Sequence, residues 1–402
     1  MKILVVLPRF PYPLEKGDKL RAYNQIRSLS ENNEIYLFAL THERVEDSAL
    51  QVMRNFCKEI KVVRISKLKG ALRIVRNFLT VRSMQIGYWD DSAARRSYTE
   101  FESAVHPDVI YAQMVRTMKY VAHSEYAKVL DYQDSLSMNL ERRMLKHKGL
   151  RYFALHYEFK MLRSAEFNAG NIFDRTTIIS ERDSEAIPQH RNTEIDIVRN
   201  GVDFNYFHPI ECKKEYDVVF CGNMQYRPNI DASRYLVEEI MPIVWKSYPQ
   251  ARLLLAGATP KMAVRQLANN NVTVSGSVED IRPCYASGHI FVAPMRIGSG
   301  LQNKLLEAMS MGVPCVTTQL ANASLKAVDG KQILIGDDAN SLAAAIVRLL
   351  DDESLRKQIA AEATQYVHEN FSWQSAGKEL EAVLQKAIDT HKHHETRQLE
   401  EE

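Results

Sequence analysis

The sequence predicts an α/β protein built from two doubly wound, parallel-sheet domains. Three observations carry that reading. At 402 residues the chain exceeds what one ordinary core holds and suits two domains. Short apolar runs recur along it, separated by stretches of helical period, the alternation that makes parallel sheets. Three of the strand-to-helix turns, after residues 2–7, 217–222 and 289–293, also carry glycine.

Composition narrows the function classes. Apolar content of 45% and charged content of 25% suit a soluble globular protein, and a net charge of +2 provides no drive toward nucleic acid. The five cysteines, Cys57, Cys212, Cys221, Cys284 and Cys315, have no CxxC or metal spacing and read as reduced thiols. No run is long and apolar enough to span a membrane. The opening MKILVVLPRFPYP fits a first strand better than a secretory signal, so a cytoplasmic location is expected.

In chain order, residues 2–7 form the first strand. The segment PRFPYPLEKGDKLRAYNQIRSLS follows, with its loop held extended by prolines. Gly17 precedes a helix expected from Asp18, which is placed as its N-cap. Lys19 and Arg21 stand at that helix start, either solvated or facing a ligand. Strands follow at 34–40 and 59–65. Between Arg54 and Arg82 lie nine Lys or Arg and one acidic residue, Glu59. There Leu68, Leu72, Ile74, Val75, Phe78 and Leu79 interleave with Lys67, Lys69, Arg73 and Arg76. Such a segment is either a solvated basic helix face or a peripheral contact with an anionic membrane.

Strands at 108–113 and 128–132 put Asp131 and Asp134 near a strand's carboxyl end, where sites form, although Asp134 also suits a helix cap. Residues 136–169 read as largely helical, and strands at 175–180 and 195–200 close a first domain of residues 1–205. The second domain, 206–370, opens with a strand at 217–222 and continues with strands at 252–257, 272–276, 289–293, 313–317 and 332–335. Helices start near Ala339 and Glu353, a crossover helix at 371–390 returns to the first domain, and 391–402 is a polar tail.

The whole is organised around APMRIGSGLQNKLLEAMSMG at 293–312. The apolar residues Leu301, Leu305, Ala308 and Met309 fall at helical spacing, and Gly312 sits where a C-terminal helix glycine belongs. The reading is strand, glycine loop, helix. Glycines let a backbone approach a ligand, and free N–H groups at a helix N-terminus attract phosphate. Lys304, in the first turn, adds a point charge for a diphosphate. Glu307, three residues on, shares its face and suits a ribose diol. The plain alternative is a βα unit with an eased turn.

GSGLQNKLLEAMSMGVPCVTT resembles the donor-site segment of retaining glycosyltransferases of family 4 (glycosyl transferases group 1). It is most similar to a bacterial surface-polysaccharide subgroup with G-x-G-x-x-N-K-x-L-E-A-M-A-x-G-x-P-V-V, matched at Gly300, Asn303, Lys304, Glu307, Ala308, Gly312 and Pro314. PYPLEKGDKLR resembles the subgroup's first glycine loop, Asp131, Asp134 and Ser137 its D-x-x-D-x-x-S, and Asn200 to Asp203 its N-G-V-D turn. Gly222, Met224, Pro228 and Asn229 match G-x-M-x-x-x-P-N.

The resemblance implies a GT-B fold, two Rossmann-like domains facing a cleft, and transfer of a sugar from a UDP- or GDP-sugar to a glycan or polyprenyl-linked acceptor. It implies no metal and no further cofactor. Donor contacts would come from Gly222, Arg227, Val278, Ser299, Gly300, Leu301, Gln302, Lys304 and Glu307. Asp134, Lys304 and Glu307 would be catalytic, with Gly17, Asp18, Lys19 and Arg21 in the first domain's glycine loop. The family's first donor-loop glutamate is missing, because Ser299 stands eight residues before Glu307. Two other readings share the fold: a nucleotide-sugar 2-epimerase and a GT-B-like subunit without catalysis.

Overall fold

The computed structural model describes the chain apart from residues 81, 145–146, 189–194, 298–300 and 402, and apart from the side chains of 142, 182 and 394–401. The chain divides into two compact units: Met1–Arg199 with Ala376–Glu402, and Asn200–Ser375.

The first unit carries a seven-stranded sheet of β1 (Lys2–Leu7), β2 (Glu34–Thr41), β3 (Glu59–Arg64), β4 (Val109–Gln113), β5 (Ala127–Asp131), β6 (Arg175–Ile178) and β7 (Ile195–Ile197). The strand order is β3-β2-β1-β4-β5-β6-β7, and each pairing is parallel. β1 shows why a continuous apolar run was required. Ile3, Val5 and Leu7 enter one core with the helix Gly17–Leu29 and with Leu380, Leu384 and Ala387 of the C-terminal helix Trp373–Glu401. Leu4 and Val6 enter the other core, with Tyr98, Phe101 and Val105 of the helix Ser92–Val105. Both faces of the strand are covered, as parallel sheets demand.

The second unit carries β8 (Tyr216–Cys221), β9 (Leu253–Ala256), β10 (Val272–Gly276), β11 (Gly288–Ala293), β12 (Cys315–Thr317) and β13 (Leu334–Ile335). Their order is β10-β9-β8-β11-β12-β13, again parallel throughout. In each sheet the order reverses between two adjacent strands, β1 and β4 in the first, β8 and β11 in the second. Ligands of doubly wound sheets bind outside the carboxyl ends of such strands.

Several sequence expectations are corrected. Asp18 does not cap the first helix. That helix begins at Gly17 with Lys16 at the cap position, and the Asp18 carboxylate forms an ion pair with Arg9. The stretch 136–169 is largely helical as expected, in two helices, Leu136–Met144 and Leu150–Ala169, the second preceded by Gly149 at φ +63°. Ser135, not Asp134, caps the first of them, accepting from the Met138 N–H at 3.2 Å. The helix after the central loop starts at Asn303, two residues past the Leu301 with which the helical spacing begins, and the last helix continues to Glu401 instead of ending at 390.

The Asn200 to Asp203 turn packs on the start of the last helix. Val202 donates to the Phe371 carbonyl at 2.8 Å, and a Cβ at Gly201 would meet the Trp373 nitrogen at 2.2 Å. Trp373 is buried there, as a packing anchor.

Candidate functional site

The central segment delivers its side chains at the carboxyl end of β11, beside β8. The helix Asn303–Ser310 has Gln302 at its cap position with no side-chain cap. Gly312, at φ +69°, ends it, with the Val313 N–H reaching back to the Ala308 carbonyl at 3.0 Å. Only glycine takes that left-handed position without strain.

Lys304 sends its Nζ to the Gln302 Oε1 at 2.8 Å. Burial of its ammonium lowers its pKa to about 8, against the opposing pull of Glu307. Glu307 accepts a 2.6 Å hydrogen bond from the buried Tyr285 hydroxyl through Oε2. Burial holds its carboxyl above the ordinary range, opposed by Tyr285 and Lys304. Both groups are therefore taken out of water and kept near one another, short of neutralising each other. Oε1 of Glu307 has no hydrogen-bond partner among the described residues. The Asn303 Oδ1 is also buried without one. Leu301 is half-buried against the core of this unit. Ser299 and Gly300 lie outside the described residues.

The β8 side of the switch point is shaped by close backbone contact. Gly257, at φ +139°, lies so near Gly222 that a Cβ on it would meet the Gly222 carbonyl oxygen at 1.8 Å. Asn229 fills the space over Gly222 and donates to the Asn223 carbonyl at 2.9 Å. Its Oδ1 is buried and unpartnered. Arg227 opens the helix Arg227–Tyr235 and is exposed. Among the described residues no hydrogen bond or ion pair ties its side chain down.

Val278 is 36% exposed in the loop after β10. That loop is pinned by Asp280, whose carboxylate takes the Arg282 guanidinium at 2.7–3.0 Å and the Tyr206 hydroxyl at 3.0 Å. Arg282 covers the Tyr206 ring at 4.2 Å. Its hydrogen bonds lower the Asp280 pKa to about 2.

In the first unit the structure separates residues that the motif reading had grouped. Arg21 does not stand free at a helix start. It is 1% exposed and forks onto Asp131, Nε to Oδ2 at 2.7 Å and Nη2 to Oδ1 at 3.2 Å. The Tyr111 hydroxyl donates to the same carboxylate at 2.8 Å. Gly17 is exposed, and a Cβ on it would meet nothing within 4 Å, so packing does not require glycine there. Lys19 lines a surface cavity with Arg9 and Lys16.

Asp134, past the carboxyl end of β5, has no hydrogen-bond partner for its carboxylate among the described residues, since Ser135 took the capping role. Burial first, and the neighbouring Asp183 second, raise its pKa to about 6, while Arg21 opposes the rise. A half-buried carboxyl poised near neutrality is suited to proton transfer.

Sequence reasoning missed Tyr285, Tyr206 and Arg282, whose roles depend on chain-distant pairing. It also missed Arg296, which anchors the start of the central loop. Arg296 pairs with Asp231 and Glu239 at 3.2 Å and lies over the Tyr235 ring at 4.0 Å.

Two doubly wound parallel domains, with polar and charged groups gathered at their switch points, make the architecture GT-B. Residues 215–352 match the family model described as "Glycosyl transferases group 1". The chain is 23% identical over 395 residues to a 44.6 kDa protein in the cps region of Klebsiella pneumoniae, covering 92% of this chain and 96% of that one. It is 28% identical over 156 residues to the capsular polysaccharide biosynthesis glycosyltransferase CapM of Staphylococcus aureus, covering 37% of this chain and 41% of CapM. Anabaena HepE, solved in complex with UDP, superposes with a TM-score of 0.66 at 14% identity, covering 96% of this chain and all of that one. The chain has the GT-B fold, and its second unit carries the similarity to glycosyl transferases group 1.

Proposed function

We propose that this enzyme transfers a sugar from a nucleotide-diphosphate sugar to a lipid-linked glycan acceptor in surface-polysaccharide biosynthesis. The observation that carries the donor assignment is the Lys304–Glu307 pair at the head of the helix Asn303–Ser310, beside the β8–β11 switch point. A diphosphate beside the uncapped helix start meets N–H groups and the Lys304 ammonium. These preorganised charges stabilise the leaving nucleoside diphosphate as its charge develops, without a metal. The Glu307 Oε1 accepts from the ribose hydroxyls, held in position by Tyr285. Arg227 adds a mobile cation, and Val278 with its pinned loop borders the base. UDP is the first base to test, because HepE was solved with UDP, and GDP the second. Family membership supports a retaining outcome, with the acceptor attacking on the leaving-group face. Asp134 serves as the proton acceptor of the acceptor-side unit.

Lipid linkage of the acceptor is supported by the helix Lys67–Leu79. Its buried positions are Gly70 and Asn77, while Leu68, Leu72, Val75 and Leu79 stand 81%, 71%, 58% and 74% exposed. At spacings of four, three and four these form one outward apolar stripe. The helix is inverted because its inner face meets the helix Met84–Trp89, where a Cβ at Gly70 would strike Tyr88 at 2.6 Å. Of the four cations expected to dock it, Lys67 is paired with Glu43 and Arg73 with Asp91. Lys69 and Arg76 remain exposed. The stripe, with those two cations, lies in an anionic lipid surface.

The donor assignment is tested by calorimetry with UDP and GDP. Lys304→Ala and Glu307→Ala each remove a contact to a charged group, which costs about 1.5–3 kcal/mol, roughly a ten- to hundred-fold loss of affinity. Unchanged affinity in both variants removes the assignment.

A further inference from the structure

The first unit holds a cavity of about 680 Å³ beyond the carboxyl ends of β1, β2 and β4. Arg9 follows β1, His42 and Glu43 follow β2, and Arg116 follows β4. Lys16, Lys67 and Arg143 complete five cationic side chains around it, against two carboxylates, Glu43 and Glu158.

Neither carboxylate is available to Arg116. Glu43 holds Lys67 at 3.0 Å. Glu158 is consumed by the start of the helix Met84–Trp89, accepting from the Ser83 hydroxyl at 2.7 Å and from the Met84 and Gln85 N–H groups at 2.8 and 3.0 Å. Arg9 is taken by Asp18. Arg116 meets neutral acceptors only, the Gln85 Oε1 at 2.9 Å and the Met114 sulfur at 3.9 Å. Its Nε is buried without a partner. Among the described residues it has no carboxylate within ion-pair distance, and burial together with the like charge of Arg9 lowers its pKa to about 10. A half-buried guanidinium fork, its Nε fully buried, that lacks an oxyanion is an unusual arrangement, because its geometry matches carboxylate or phosphate in a bidentate manner. One wall of the cavity is aromatic, with the His42 ring tilted against Trp89 at 4.7 Å and edge-on to Tyr88 at 5.2 Å. Ile74, on the helix that bears the apolar stripe, lines the same cavity.

We propose that this cavity is an acceptor subsite that recognises an oxyanion on the acceptor, a phosphate or a carboxylate, through the fork of Arg116. Lys16 and Arg143, at the exposed rim, add charge, and Tyr88 borders the sugar ring. The inference rests on the transferase reading and adds the chemical class of the acceptor to it. A phosphate would come from a lipid-phosphate linkage and a carboxylate from a uronic acid residue.

The test uses the full chain, saturated with UDP so that the donor site is closed to phosphate, and calorimetry with two matched pairs of probes. Farnesyl phosphate is compared with farnesol, and methyl glucuronide with methyl glucoside. One charged probe is expected to bind at least ~10-fold tighter than its neutral counterpart, the desolvated fork discriminating by charge, and which pair does so identifies the source of the oxyanion. Arg116→Met is expected to reduce that charged probe's affinity roughly 10- to 100-fold and leave UDP affinity unchanged. The rim double variant Lys16→Ala/Arg143→Ala alters exposed side chains only and is expected to lower affinity by several-fold and flatten its salt dependence. Equal binding of charged and neutral probes, absence of binding by both charged probes, or indifference of binding to both variants overturns the proposal. Absence of binding of both UDP and GDP to the parent protein instead refutes the transferase reading beneath it.

Discussion

Asp134→Asn separates stability from catalysis at one residue. In the folded chain the Asp134 pKa rises from the ordinary 3.8 to about 6, because of burial and the facing charges of Asp183, Asp131 and Asp18, with Arg21 opposing. A folded pKa above the unfolded one means that protonation favours the fold. Below about pH 4 the group is protonated in both states and contributes nothing. As pH rises through the interval to about 6 the native state is penalised, and above it the penalty is complete. At about 1.4 kcal/mol per pH unit the penalty is roughly 3 kcal/mol. The side chain keeps some solvent contact, which reduces this to about 1–2 kcal/mol. Asparagine is nearly isosteric and carries no charge. Asp134→Asn is therefore expected to raise the melting temperature of its unit at pH 7.5 by about 2–8 °C, with a gain that shrinks toward zero as pH falls to about 4. Transfer activity is expected to collapse in the same variant, and the parent's activity to fall on the acid side of about pH 6. Differential scanning calorimetry across that pH range is the assay. A variant no more stable than the parent at pH 7.5, or a gain independent of pH, refutes the burial argument. Retained activity refutes the proton-transfer role.

Arg21→Met should act on stability rather than on the donor. It strands Asp131 without its fork, and breaking a buried ion pair costs about 3–5 kcal/mol, so denaturant melts should shift strongly while UDP affinity of the folded fraction holds. EDTA should leave transfer rates unchanged if, as proposed, the Asn303–Ser310 helix start and Lys304 take the place of a divalent ion. Inactivation reversed by Mg²⁺ or Mn²⁺ would contradict that. For the membrane contact, Leu72→Glu/Val75→Glu should abolish flotation with anionic vesicles, and Lys69→Glu/Arg76→Glu should weaken it most at low salt, since each cation near an anionic surface is worth about 1 kcal/mol. Flotation unaffected by the apolar pair would return the stripe to a solvated role.

What was legible in the sequence is what local physics fixes. Runs such as Ile3 to Leu7 and Ile290 to Ala293 are apolar at every position, so they could only be strands covered on both faces. Their alternation with helical periods required parallel sheets. The strand–loop–helix segments marked the carboxyl ends of β1, β8 and β11, although only the sheet order shows that it reverses there, and Lys304 and Glu307 were readable because one helical turn places them on one face. Gly312 was readable because its left-handed backbone is a local property. Gly17 and Arg227 were read from pattern alone, and no neighbour in the described structure fixes either one.

The rest depended on which distant residues the sheets bring together. Arg21 was read as standing at a helix start, solvated or facing a ligand, but Asp131 lies 110 positions away and becomes its partner only when β5 is laid two strands from β1. Asp134 was open between cap and site until Ser135 proved to be the cap. The basic segment 54–82 had the composition of a charged face, but small and polar residues turned inward and its leucines outward. Tyr285 behind Glu307 and the uncompensated Arg116 had no local signature at all. Periodicity, glycine and turn chemistry act over a few residues and are written in sequence. Burial and charge compensation are sums over neighbours, and the neighbours are chosen by the tertiary fold.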